Sequence, residues 1–133
     1  MTATLANGGT LYRPTIVLRQ ESLYGPDPLA TPPTVLHQLR VSPQHIAAVQ
    51  QGLWSVVNDA KGTGKLAHHG HIAMAGKTGT AQVVQLPEHD ASPQRQALLP
   101  ERHRHHAWFV AYAPFDDPLI AVVIMIEHAG KGG

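Results

Sequence analysis

Ile72-Ala73-Met74-Ala75-Gly76-Lys77-Thr78-Gly79-Thr80-Ala81-Gln82-Val83-Val84 reads as a strand, with glycines at two positions, Gly76 and Gly79, where another backbone or a ligand can come close. Its centre, Lys77-Thr78-Gly79-Thr80, puts a cation, two hydroxyls and a bare backbone position on one extended segment. That set suits holding a carboxylate beside an acyl carbonyl. The ammonium supplies a charge-assisted hydrogen bond, and donors aimed at a carbonyl oxygen stabilise the anion that forms there on attack. A phosphate loop does not fit. Gly76-Lys77-Thr78 would need a glycine five residues before Gly76, where His71 stands, and Gly62-Thr63-Gly64-Lys65 is followed by Leu66 where Ser or Thr is required.

Downstream, Ala107-Trp108-Phe109-Val110-Ala111-Tyr112-Ala113 and Leu119-Ile120-Ala121-Val122-Val123-Ile124-Met125-Ile126 are apolar runs joined by Pro114-Phe115-Asp116-Asp117-Pro118, the spacing of a hairpin. Both runs are almost continuously apolar, which predicts strands covered on both faces, near the middle of a sheet. Asp116 and Asp117 then read as solvated turn formers, not as a carboxylate pair. Upstream, Ser42-Pro43 starts a helix: the hydroxyl can cap free N–H groups, and proline sits where no donor is needed. Ile46, Val49, Leu53, Val56 and Val57 continue it at spacings of three and four for about four turns, ending before Lys61-Gly62. Residues 2–6 running into Asn7-Gly8-Gly9 read as a helix closed in the left-handed conformation. Residues 10–18 are β-prone but hold Pro14, which suits a peripheral strand; residues 34–40 read as a second short extended piece, and residues 24–33 and 88–101 as loops.

At 133 residues and 43% hydrophobic content the chain fits one modest domain. Its longest apolar run, residues 119–126, falls far short of the roughly 20 residues of a spanning helix, and its start lacks the pattern of a signal peptide, so the chain as written is expected to be soluble. A net charge of +1 gives no electrostatic footprint for nucleic acid or an acidic membrane. With no cysteine there is no disulfide, thiolate metal site or cysteine nucleophile.

Taken in order, Leu5-Ala6-Asn7-Gly8-Gly9, Gln51-Gly52-Leu53 through Asn58, Gly62-Thr63, Ala75-Gly76-Lys77-Thr78-Gly79-Thr80-Ala81-Gln82-Val83, His106-Ala107-Trp108-Phe109-Val110-Ala111-Tyr112-Ala113-Pro114 and Ala121-Val122 through Glu127-His128-Ala129-Gly130 carry a resemblance that spans nearly the whole chain. The chain resembles the C-terminal part of the transpeptidase domain of class B penicillin-binding proteins, most closely the elongation-type penicillin-binding protein 2. The resemblance implies an α+β fold of the serine β-lactamase-like kind, an antiparallel sheet with helices, incomplete in this chain, with residues 1–133 as the C-terminal portion of a single domain. It implies a peptidoglycan D,D-transpeptidase, a serine acyltransferase that crosslinks stem peptides and is acylated by β-lactams. Carried over, Lys77 and Thr80 are catalytic: Lys77 supports proton transfer beside the serine, and the Thr80 N–H is one oxyanion donor. Lys77, Thr78, Gly79 and Thr80 bind substrate, the two threonine hydroxyls on its carboxylate and Gly79 leaving room for a peptide along the strand edge. No metal or cofactor is implied. The implied partners are the stem peptide, β-lactams and, through regions outside this chain, membrane proteins of the elongation machinery. The implied location is the outer, periplasmic face of the bacterial inner membrane, with the anchor outside this chain.

The family's companion motifs do not occur here. None of Ser22, Ser42, Ser55 and Ser92 has a lysine three residues on or an asparagine two residues on, so neither the nucleophile motif Ser-x-x-Lys nor Ser-x-Asn is present. Met1 matches an internal position of the family, and the chain is expected to cover under half of the domain and to be inactive alone. A β-lactam sensor or hydrolase of the same fold shares the Lys-Thr-Gly strand and is the runner-up. A different rival is a metal-binding module built from His68-His69-Gly70-His71 and His103-Arg104-His105-His106 converging across a sheet, since neutral imidazoles bind zinc, copper or nickel. Glu127 and His128, ending the last strand, are candidates for a polar contact near the site. A sheet with uncovered edges would also be prone to self-pairing.

Overall fold

A five-residue helix, α1 (Thr2–Ala6), stops at a glycine pair. Gly8 and Gly9 take φ of 81° and 111°, a region that the missing Cβ leaves open, and the Asn7 Oδ1 accepts from the N–H groups of Gly9 at 3.2 Å and Thr10 at 2.9 Å. This turns the chain into β1 (Thr10–Tyr12), which ends before Pro14, well short of residue 18. The computed structural model describes residues 1–21, 23–25, 29–84 and 98–133. Two short strands, β2 (Arg19–Gln20) and β3 (Leu29–Ala30), pair antiparallel, and β4 (Val35–Gln38) returns to pair with β1. β3 therefore interrupts the expected loop over residues 24–33, whereas most of the expected loop over residues 88–101 lies outside the described residues.

The helix α2 (Pro43–Asn58) begins as its sequence dictates: the Ser42 hydroxyl accepts from the His45 N–H at 3.4 Å, and Pro43 fills the first turn. Ile46 and Val57 are buried, but Val49 is 48% exposed, so the buried stripe is narrower than the apolar spacing predicts. α2 packs against β5 (Ala75–Ala81), which pairs antiparallel with β6 (His106–Ala113), itself paired with β7 (Ile120–Ile126). The expected strand over residues 72–84 is thus trimmed at both ends, and the predicted hairpin forms. Its place in the sheet is different from the expectation. Among the described residues the order is β5-β6-β7, so only β6 is central, and β7 is an edge with all seven residues exposed. Continuous apolarity there marks a strand that α1 contacts but does not bury.

The small core gathers Val57 of α2, Ala75 of β5, and Ala111 and Tyr112 of β6. Tyr112 is 1% exposed and stacks on Phe115, with ring centroids 6.3 Å apart, and Phe115 in turn meets Trp54. The Tyr112 hydroxyl has no hydrogen-bond partner among the described residues, and burial pushes its pKa above the ordinary 10.0. The unfolded chain gives up that proton first, so any stability tied to this group is intact below pH 10 and falls as pH rises beyond it. Tyr112→Phe is expected to raise stability by about 1 kcal/mol at neutral pH, because it deletes an unsatisfied buried group, and to lessen the alkaline loss. Denaturant unfolding of both proteins at neutral and alkaline pH checks this; equal alkaline losses would contradict it.

Candidate functional site

Among the described residues β5 is paired on one side only, so Lys77-Thr78-Gly79-Thr80 lies on a free edge of the described sheet. Strand alternation puts Thr78 and Thr80 on one face and Lys77 and Gly79 on the other. Two loops close on the threonine face. The first leaves α2: the Gly62 N–H donates to the Asp59 carbonyl at 3.0 Å and the Gly64 N–H to the Val56 carbonyl at 2.9 Å, folding the chain back over the helix end. That fold brings the Thr63 Oγ1 to 3.0 Å from the Thr78 Oγ1. The second is the C-terminal stretch, whose Gly132 N–H donates to the Thr80 Oγ1 at 3.3 Å. Among the described residues each threonine hydroxyl so has one partner and, with one proton and two lone pairs, capacity for another.

Lys77 is exposed, and its Nζ donates to the Thr78 carbonyl at 2.8 Å, which holds the ammonium beside the strand edge. A Cβ on Gly79 would stand 3.3 Å from the Trp108 Cβ, a tight contact within the sheet itself. Beside the threonine face lies a cavity of about 420 Å³ lined by Thr63, Thr78, Phe109, Ile124 and Lys131 among others. The arrangement is a cationic, hydroxyl-bearing edge next to an apolar recess, able to pair with an extended ligand and to grip a carboxylate.

The whole chain, residues 1–133, matches the penicillin binding protein transpeptidase domain. This chain belongs to that family. It is 43% identical over 86 residues to the peptidoglycan D,D-transpeptidase MrdA of Haemophilus influenzae, a match covering 64% of this chain and 13% of the relative. It is 35% identical over 130 residues to the peptidoglycan D,D-transpeptidase PbpA of Mycolicibacterium smegmatis, covering 96% of this chain and 23% of the relative. Its fold superposes on the D,D-transpeptidase domain of a peptidoglycan glycosyltransferase from Eggerthella lenta with a TM-score of 0.72 and 30% identity, over 96% of this chain and 26% of that one. The chain thus spans about a quarter or less of the length of each of these relatives. The α+β fold of the penicillin-binding transpeptidases, read from the sequence, is the fold observed.

Among the described residues, the family strand carries Lys77, Thr78, Gly79 and Thr80 together, as the sequence predicts, and adds Thr63 and Gly132, to which sequence reasoning gave no role. Gly62-Thr63 stood in the family resemblance and was the available signal; for Gly132 there was only a glycine run. The histidines do not assemble into the rival metal module. Among the described residues no three or more His, Cys, Asp or Glu side chains are arranged to hold a metal ion. Each cluster is instead tied to its own surroundings: the His68 Nδ1 lies 3.2 Å from the Asn58 Oδ1, the His105 Nδ1 accepts from the Val83 N–H, and the His106 Nδ1 accepts from the His128 N–H at 3.0 Å. Of Glu127 and His128, His128 makes polar contacts, but with the start of β6: it packs on the His106 ring at 4.7 Å and its Nδ1 lies 3.1 Å from the Arg104 carbonyl.

Proposed function

We propose that the chain is the substrate-binding C-terminal portion of a single peptidoglycan transpeptidase domain, a serine acyltransferase acting on stem peptides. The observation that carries this reading is the position of Lys77-Thr78-Gly79-Thr80 on the edge of β5 that no described strand pairs. A stem peptide laid along that edge gains main-chain hydrogen bonds, as in other strand additions. Its carboxylate, or that of a β-lactam, meets the Lys77 ammonium and the hydroxyls of Thr78 and Thr80. Lys77 also supports proton transfer at the serine, and the Thr80 N–H polarises the acyl carbonyl as one of two oxyanion donors. The serine, its lysine base and the second donor come from chain outside residues 1–133. The elongation-type resemblance supports partnership with membrane proteins of the elongation machinery through those other regions, and a place at the outer face of the inner membrane.

A direct consequence concerns labelling. Incubated with a β-lactam, the isolated 133-residue chain is expected to gain no covalent adduct, because no serine here stands in a Ser-x-x-Lys motif. The full-length protein is expected to gain one, on a serine outside this segment. An intact-mass increase on the isolated chain equal to one ring-opened drug molecule would overturn the assignment.

A further inference from the structure

Residues 129–133 leave the turn after β7, are tied by the Gly130 N–H to the His105 carbonyl at 2.8 Å, and lie back over the sheet onto β5. The approach is close enough to exclude any side chain at two successive positions. A Cβ on Gly132 would collide with the Gly79 carbonyl and stand 2.8 Å from the Trp108 carbonyl. One on Gly133 would stand 2.8 Å from both the Thr63 carbonyl and the Thr78 Cγ2. Backbone atoms cannot yield to such contacts as the end of a flexible side chain can, so glycine is required there for packing against the candidate site itself.

We propose that Gly132 is a positioning residue for the Thr80 hydroxyl. The inference rests on the reading of β5 as a carboxylate-binding strand and adds a residue to it. The Gly132 N–H donates to the Thr80 Oγ1, which occupies one lone pair of that oxygen and turns its O–H away from the C-terminal stretch. The hydroxyl proton is then available to a ligand carboxylate. Contact of Gly132 with the Gly79 carbonyl fixes the peptide unit between Gly79 and Thr80, and so the direction from which Thr80 presents its side chain. Any larger residue at 132 must lift the stretch or push on Gly79, and either change separates the N–H from Oγ1. The Thr80 N–H, an oxyanion donor, belongs to the same peptide unit, so acylation by any β-lactam slows somewhat, but the displaced hydroxyl lowers the rate of a free acid further than that of an ester.

The test compares benzylpenicillin with its methyl ester as acylating agents of the full-length protein. The wild type is expected to prefer the free acid. Gly132→Ala is expected to reduce the acid-to-ester ratio of second-order acylation rates about ten-fold, the scale of losing one hydrogen bond to a charged group. A ratio unchanged from wild type, with both rates lowered alike, would show a merely structural role and overturn the proposal while leaving the strand's assignment intact. A wild type that treats acid and ester equally would remove the carboxylate-binding reading as well. Should Gly132→Ala fail to fold, hydrogen exchange in Thr80→Val decides instead. The Gly132 amide is expected to exchange faster there while the Gly130 amide, bonded to His105, does not change, and an unchanged Gly132 rate would overturn the proposal.

Discussion

Lys77→Ala is expected to lower the β-lactam acylation rate of the full-length protein by roughly 10³-fold, within the range for loss of a group that assists proton transfer. Lys77 is exposed on the free edge of β5, and among the described residues no carboxylate forms an ion pair with it. Its one described hydrogen bond is to the Thr78 carbonyl beside it, so its charge is available to a ligand. Removing an exposed side chain changes stability by only about 0.5 kcal/mol, so the melting temperature should barely move. Lys77→Arg separates its two roles. A guanidinium keeps the positive charge for carboxylate binding but is always protonated and cannot shuttle a proton, so binding should survive better than the acylation step. Saturation kinetics resolve the two, and a loss of less than ten-fold in Lys77→Ala would count against a catalytic role.

The second large effect is on stability, at Gly62. Gly62→Ala places a Cβ against the Val56 carbonyl and 2.7 Å from the Ser55 carbonyl, in the last turn of α2. Both oxygens are already engaged, Val56 by the Gly64 N–H at 2.9 Å and Ser55 by the Asp59 N–H at 3.1 Å. The substitution must therefore open the exit of α2, at a cost of about 2–3 kcal/mol, or roughly 10 °C in Tm. It also moves Thr63 away from Thr78. The same substitution at Gly52, inside α2 with nothing within 4 Å of its added Cβ, should stabilise the protein by about 0.5–1 kcal/mol. Opposite signs for one chemical change would locate the constraint in the turn, and a neutral Gly62→Ala would refute it.

Local features were legible in the sequence because their causes are local. The Ser42-Pro43 start of α2, the glycine stop of α1 and the hairpin of β6 and β7 depend on residues a few positions apart. The strand β5 was legible for another reason: the residues proposed to bind substrate on it are consecutive. What escaped was set by distant partners. β7 has the composition of a central strand, but whether a strand is covered depends on what lies across from it, and its residues are exposed. The Thr63 to Thr78 contact spans 15 positions and the Gly132 to Thr80 bond spans 52, and neither leaves a periodicity to read. The histidines misled in the converse way. They are adjacent in sequence, yet the structure pairs His106 with His128, 22 positions away.

The central claim is that the strand bearing Lys77 and Thr80 serves a serine nucleophile encoded outside these residues. The most direct measurement is the sequence of the source DNA upstream of Met1, read in frame. The account predicts an open frame carrying both Ser-x-x-Lys and Ser-x-Asn ahead of residue 1. A stop codon immediately upstream, with neither motif between it and Met1, would contradict it.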